Sequence, residues 1–189
     1  MPLIKNGVNG SEKGKKCIKA MWKHHLQIGC YLILIALSCK HSPPTQTGFY
    51  DYLDGMYKEK DLLIHLEDLP DSLRSNYLFL DTRSQQEYQV SHLPHAEWVG
   101  FLHFQKDKLA DLPKDQAIIV YCSVGYRSER IGKRLKKMGF SDVHNLYGGI
   151  FDWSNQQEPI VNQQGMPTDS IHTYNKKWGK WVFRGVKVY

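Results

Sequence analysis

Cysteine is nearly absent. The 189 residues hold four, Cys17, Cys30, Cys39 and Cys122, and no two form a C-x-x-C pair. That excludes a dense disulfide framework and a paired-thiolate metal clamp. Long apolar runs are also missing. The most apolar stretch, residues 26–38, is uncharged but shorter than the about 20 residues a membrane-crossing helix needs. Metal ligands are few: His92 and His95 share the turn HLPH, with no third ligand at a sensible spacing. Loop-bonded or solvated rings are expected there, and neither a metal nor a cofactor. Positive charge is scarce where a nucleic-acid binder would need it. Six lysines and one glutamate lie in residues 1–38, so that segment carries nearly all of the formal +6 and the body is almost neutral. A nearly neutral body argues against nucleic acid as a partner.

What is present centres on residues 117–140. AIIVY reads as a strand buried on both faces. CSVGYRS follows as a tight loop, and then an amphipathic helix, expected to begin near Ser128. Ile131, Leu135 and Met138 are spaced four and three apart on one helical face, and Gly139 is expected as a left-handed cap. Cys122 therefore stands between a strand end and a helix N-terminus. Unpaired backbone N–H groups and the positive end of the helix dipole favour the nucleophilic thiolate there. Arg127 adds a permanent cation, and Gly125 lets the loop turn several amides toward one point.

Cys122, Ser123, Val124, Gly125, Tyr126, Arg127 and Ser128 together resemble the active-site loop of single-domain rhodaneses, the thiosulfate and persulfide sulfurtransferases. Upstream, Leu80-Asp81-Thr82-Arg83, Glu87-Tyr88 and His92-Leu93-Pro94-His95-Ala96 resemble that family's strand-D-x-R, E-Y and G-H-I-P-G-A series. His95 stands where the family usually has Gly. Downstream, Leu146-Tyr147-Gly148-Gly149-Ile150 with Trp153 resembles its L-x-G-G-x-x-x-W close. The similarity runs from about residue 62 to residue 157, roughly half of the chain.

The resemblance implies an α/β fold of rhodanese type, a central mainly parallel sheet with helices on both faces. Strand alternating with helix implies the same layering. It also implies double displacement. Cys122 takes the outer sulfur of thiosulfate, a persulfide or a polysulfide, and a thiol or cyanide acceptor removes it. The amides of the loop stabilise the persulfide, Arg127 and Ser128 hold donor or persulfide, and Asp81 with Arg83 brace the loop. Related phosphatases place five residues between Cys and Arg; here four separate Cys122 from Arg127, a smaller cradle suited to sulfur. Ser123 and Val124 stand where many thiosulfate users carry a cation, so weak thiosulfate use is expected. The alternative reading is a non-catalytic rhodanese-like binding module on a membrane tether.

The flanks divide as follows. Residues 1–20 read as disordered or as an upstream extension. From Met21 a basic segment and then residues 26–38 suit a signal peptide, and Met21 suits a natural start. Leu37-Ser38-Cys39 resembles a bacterial lipobox, departing from it at Ala36, where Leu is commonest. Lipid on Cys39 would anchor the protein outside the cytoplasmic membrane, with residues 39–49 as a polar tether and Cys122 as the one free thiol left. The domain is placed at residues 50–158, with a helix expected within residues 50–63. Residues 159–189 are read as an extension packing on it. In that extension basic and aromatic residues interleave, a pattern of some single-strand binders. A hairpin around Arg184-Gly185 covering the domain surface is the stronger expectation.

Overall fold

The computed structural model describes residues 44–189. The expected extension at 1–20, the signal segment at 21–38, the lipidation site Cys39 and the first part of the tether lie outside them. Among the described residues no helix is long and apolar enough to cross a membrane.

The elements run α1 (Gln46–Met56), β1 (Leu63–Ile64), α2 (Asp71–Arg74), β2 (Leu78–Asp81), α3 (Gln85–Val90), β3 (Glu97–Trp98), β4 (Ile118–Tyr121), α4 (Tyr126–Lys137), β5 (Val143–Leu146), α5 (Gly149–Asn155), β6 (Ile160–Val161), β7 (Pro167–Thr168), β8 (Ser170–His172), α6 (Lys176–Gly179) and β9 (Val186–Val188). Five strands form one sheet in the order β1-β5-β4-β2-β3, every pair parallel. The α/β reading therefore holds. Strand β4 lies at the centre and all four of its residues are buried, as a doubly covered strand requires.

Alternation along the strands splits the core into two layers. Leu80, Ile118 and Val120 face Ile131 and Leu135 of α4. Phe79, Ile119 and Tyr121 face the other way, toward Phe49 and Leu53 of α1 and Ile150, Phe151 and Trp153 of α5. Ser84 and Glu87 form the anticipated capping box on α3. Gly139 is left-handed after α4, and His95, in the family's Gly position, takes φ +61°. His92 is held within the fold: its Nδ1 lies 3.0 Å from the Tyr88 carbonyl and its ring stacks on Tyr88.

Three boundaries move. Helix α4 begins at Tyr126, two residues before Ser128, because Gly125 at φ +91° turns the chain into the helix. Residues 46–49, assigned to the tether, belong to α1, capped by Thr45 accepting from the Gly48 N–H. Phe49 is fully buried, which fixes that end to the core. The hairpin around Gly185 does not form. Strands β8 and β9 pair in parallel with α6 between them. A parallel pair cannot be closed by a tight turn, so the crossover segment takes Trp178 and Trp181 instead. Trp181 and Val182 enter the core, and Asn155 binds both the Trp181 carbonyl and the Phe183 N–H.

Candidate active site

Cys122 stands one residue beyond the carboxyl end of β4, where open parallel sheets bind ligands. It is 1% exposed and forms part of the floor of a cleft of about 1290 Å³. Gly125 N–H donates to its Sγ at 3.1 Å. The next N–H groups, of Tyr126, Arg127 and Ser128, open α4 and have no helical carbonyl to meet. Positive electrostatic potential thus gathers at the sulfur.

The loop is braced from two directions that sequence reading did not identify. Tyr57, just past α1, donates from its hydroxyl to the Val124 carbonyl at 2.7 Å and accepts the Gly148 N–H at 2.8 Å. A Cβ at Gly125 would come within 2.3 Å of that hydroxyl, so residue 125 must be glycine for space as well as for its positive φ. From the other side, Ile150 and Phe151 at the start of α5 donate their N–H groups to the carbonyls of Cys122 and Ser123, at 3.0 and 3.1 Å. Gly149 permits this approach, since a Cβ there would lie 2.3 Å from the Cys122 carbonyl oxygen. The Gly-Gly motif was legible as a tight connection; its contact with the Cys loop was not.

Electrostatics rest on two ion pairs, one buried and one partly buried. Asp81 and Arg83, both 0% exposed, form the expected pair, and Arg83 also donates to the Ser91 carbonyl. The second pair was unforeseen: Arg127 grips Glu87 with both prongs of its fork, at 2.8 and 2.7 Å, and donates to Ser123 Oγ at 2.9 Å. Ser123 donates in turn to Glu87. Burial pushes the Glu87 carboxyl up, but the hydrogen bonds and charge of Arg127 outweigh it and bring it to about 2. Burial lowers Arg127 and its bonds to Glu87 raise it further, with a net rise. Capping-box spacing identified Glu87 as a helix cap, and nothing in the sequence linked it to Arg127, 40 residues on.

Of the residues expected to bind substrate, Ser123, Val124, Tyr126 and Arg127 line the cleft with Cys122. Gly125 supplies its amide. Val124 is 4% exposed and also packs into the apolar layer. Ser128 is fully buried, is not among the cleft-lining residues, and its hydroxyl has no hydrogen-bond partner. Ser128 thus stands apart from the cleft, whereas Arg127 lines it while paired with Glu87. Among the described residues no three His, Cys, Asp or Glu side chains group as a metal site.

Comparison with known proteins places this geometry. The profile of the Rhodanese-like domain family matches residues 65–156. A protein named Sulfurtransferase, from Allochromatium vinosum, is 32% identical over 88 residues, 47% of this chain and 81% of that protein. The chain belongs to the rhodanese family. A second relative, the "Probable adenylyltransferase/sulfurtransferase MoeZ" of Mycobacterium tuberculosis, is 37% identical over 95 residues. That match covers 50% of this chain but only 24% of the relative, so the chain corresponds to about a quarter of it. A crystal structure of a rhodanese-related protein from Thermoplasma volcanium superposes with a TM-score of 0.44 at 24% identity, covering 52% of this chain and 95% of that one. The rhodanese match ends at residue 156, whereas the cleft over Cys122 is also lined by His172, Tyr174, Trp178, Val188 and Tyr189.

Proposed function

We propose that the protein is a sulfurtransferase working through Cys122. The observation that carries the reading is the position of its Sγ: past the central parallel strand, on the floor of an open cleft, with the Gly125 N–H at 3.1 Å. Family membership and a 32% identical relative named Sulfurtransferase support it. In the first step the Cys122 thiolate attacks the terminal sulfur of a thiosulfate, persulfide or polysulfide donor. A new S–S bond forms at Cys122, and the donor leaves with the electron pair of its broken S–S bond. In the second, a thiol or cyanide takes that outer sulfur and returns the thiolate. Both negatively charged forms of Cys122 are stabilised by the Gly125 N–H and the first turn of α4.

Charge pairing bears on the donor. Arg83 and Arg127, the two arginines lining the cleft, are each bound to a buried carboxylate. A dianion such as thiosulfate therefore meets no uncommitted arginine, which favours persulfide or polysulfide donors. The test is thiocyanate release from cyanide with each donor, alongside intact mass. Wild-type protein is expected to gain one sulfur and Cys122→Ser none, with no release of phosphate from an aryl phosphate. Cys122-dependent phosphate release, or no sulfur uptake from any donor, would overturn the reading.

We propose, further, that Cys39 carries a lipid that anchors the domain outside the cytoplasmic membrane. This rests on the basic segment, the uncharged run and the Leu37-Ser38-Cys39 motif.

A further inference from the structure

The cleft over Cys122 is larger than a small inorganic donor requires, and part of its wall lies outside the family match. At about 1290 Å³ it exceeds the about 300–1,000 Å³ usual for small-molecule pockets. Trp98 and Phe101 line one part of it, and Tyr174 and Trp178 come from the C-terminal segment. Tyr174 is unusual in its backbone. Its φ is +64°, a left-handed conformation that bulky side chains seldom adopt. The Tyr174 N–H donates to His172 Nδ1 at 3.0 Å. The ring is not compensated by burial: it is 57% exposed and lies 5.7 Å from the Arg127 guanidinium carbon. Local strain at a ring left more than half exposed marks a position held for something else. The charge balance points the same way. Apart from histidines and Cys122 itself, the ionised side chains lining the cleft are Arg83, Glu87 and Arg127, and Asp81 neutralises Arg83 as Glu87 neutralises Arg127. Flat aromatic surface and cancelled charge suit a ring or apolar chain more than a compact dianion.

We propose that the C-terminal segment makes this site selective for organic sulfane-sulfur donors bearing a ring or apolar chain, with Tyr174 and Trp178 as the specificity-determining residues. The proposal rests on the sulfur-transfer reading. For an organic thiosulfonate, R–SO2–S⁻, the Cys122 thiolate attacks the terminal sulfur, that S–S bond breaks, and R–SO2⁻ leaves with its electron pair. Cyanide then removes the sulfur as thiocyanate and regenerates the thiolate. No further oxidant or reductant enters.

Benzenethiosulfonate and methanethiosulfonate offer the same reacting group and charge, with and without a ring. The ratio of their kcat/KM values in the wild type, divided by the same ratio in a variant, cancels the difference in leaving ability. Tyr174→Asn removes the ring while keeping a residue tolerant of left-handed backbone. It and Trp178→Ala are expected to lower the ratio roughly tenfold, mainly through KM, and Tyr174→Phe is expected to retain it. A ratio within about twofold of wild type in both ring-removing variants would overturn the selectivity. Should those variants not fold, inhibition of the wild type decides: benzenesulfinate is expected to compete about tenfold better than methanesulfinate, and equal inhibition overturns the proposal. Absence of thiocyanate and of added sulfur on Cys122 with every donor would instead overturn the sulfur-transfer reading itself.

Discussion

Glu87 concentrates several roles in one carboxylate. It closes the capping box on α3 through the Ser84 N–H, accepts both prongs of Arg127 and accepts the Ser123 hydroxyl. Its carboxyl is held at about 2, against an ordinary 4.5. A lowered carboxyl stabilises the fold where it is ionised: the contribution is complete above about 4.5 and is lost as pH falls from there through about 2. The shift corresponds to about 3 kcal/mol. Glu87→Gln is therefore expected to lose about 3 kcal/mol at neutral pH, since it leaves the Arg127 charge partly buried without its partner. The gap from wild type should narrow as acid protonates Glu87. Urea unfolding of both proteins across that range checks this, and a gap independent of pH would count against the pair. Asp81 and Arg83 were legible as a pair from their spacing at a strand end. The Glu87–Arg127 pair was not, because it joins two helices through a contact only the fold creates.

At the scale of elements, α1 reaches from outside the family match to the back of the Cys loop. Phe49 and Leu53 anchor it in the core, and Tyr57 beyond its end ties Val124 to Gly148. Burial pushes the Tyr57 hydroxyl well above its ordinary value, so it remains a donor. Tyr57→Phe would leave a buried carbonyl and a buried N–H without that partner. A cost of about 1–3 kcal/mol is expected, with a fall in kcat/KM for sulfur transfer as the loop loosens. Denaturant midpoints together with cyanide-coupled kinetics test it; a destabilised variant with wild-type kinetics would show that Tyr57 supports the fold and not the loop. Sequence reading placed a helix among residues 50–63 from scattered aromatics. That α1 starts at Gln46 depends on the Thr45 cap and on a fully buried Phe49.

For the molecule as a whole, the proposed anchor and the chemistry are separable. Cys39 lies outside the described residues, and Cys122 belongs to a fold that α1 ties to the core from Gln46 onward. Cys39→Ser expressed in a bacterium is expected to lose lipid and detergent-phase partitioning while sulfur uptake at Cys122 persists. Stable anchoring takes more than one acyl chain, so the wild-type mass should show several. A wild-type protein of full length, without lipid, would overturn the anchor.

Local pattern was enough for the central strand, the helix that follows the cysteine, the capping box, the left-handed Gly139 and the parallel α/β layering. Each depends on near neighbours: apolar periods of two and 3.6, or a side chain three residues from a free N–H. The sequence by itself also singled out Cys122, the thiol that stands between a buried strand and a helix start. Tertiary structure decided what that thiol meets. Arg127 turned to Glu87, Ser128 turned inward, Tyr57 came under the loop, and a C-terminal segment read as a surface hairpin became a wall of the cleft. Those contacts join residues tens of positions apart, where no local period links them. They follow from which faces the two apolar layers leave open once the sheet has formed.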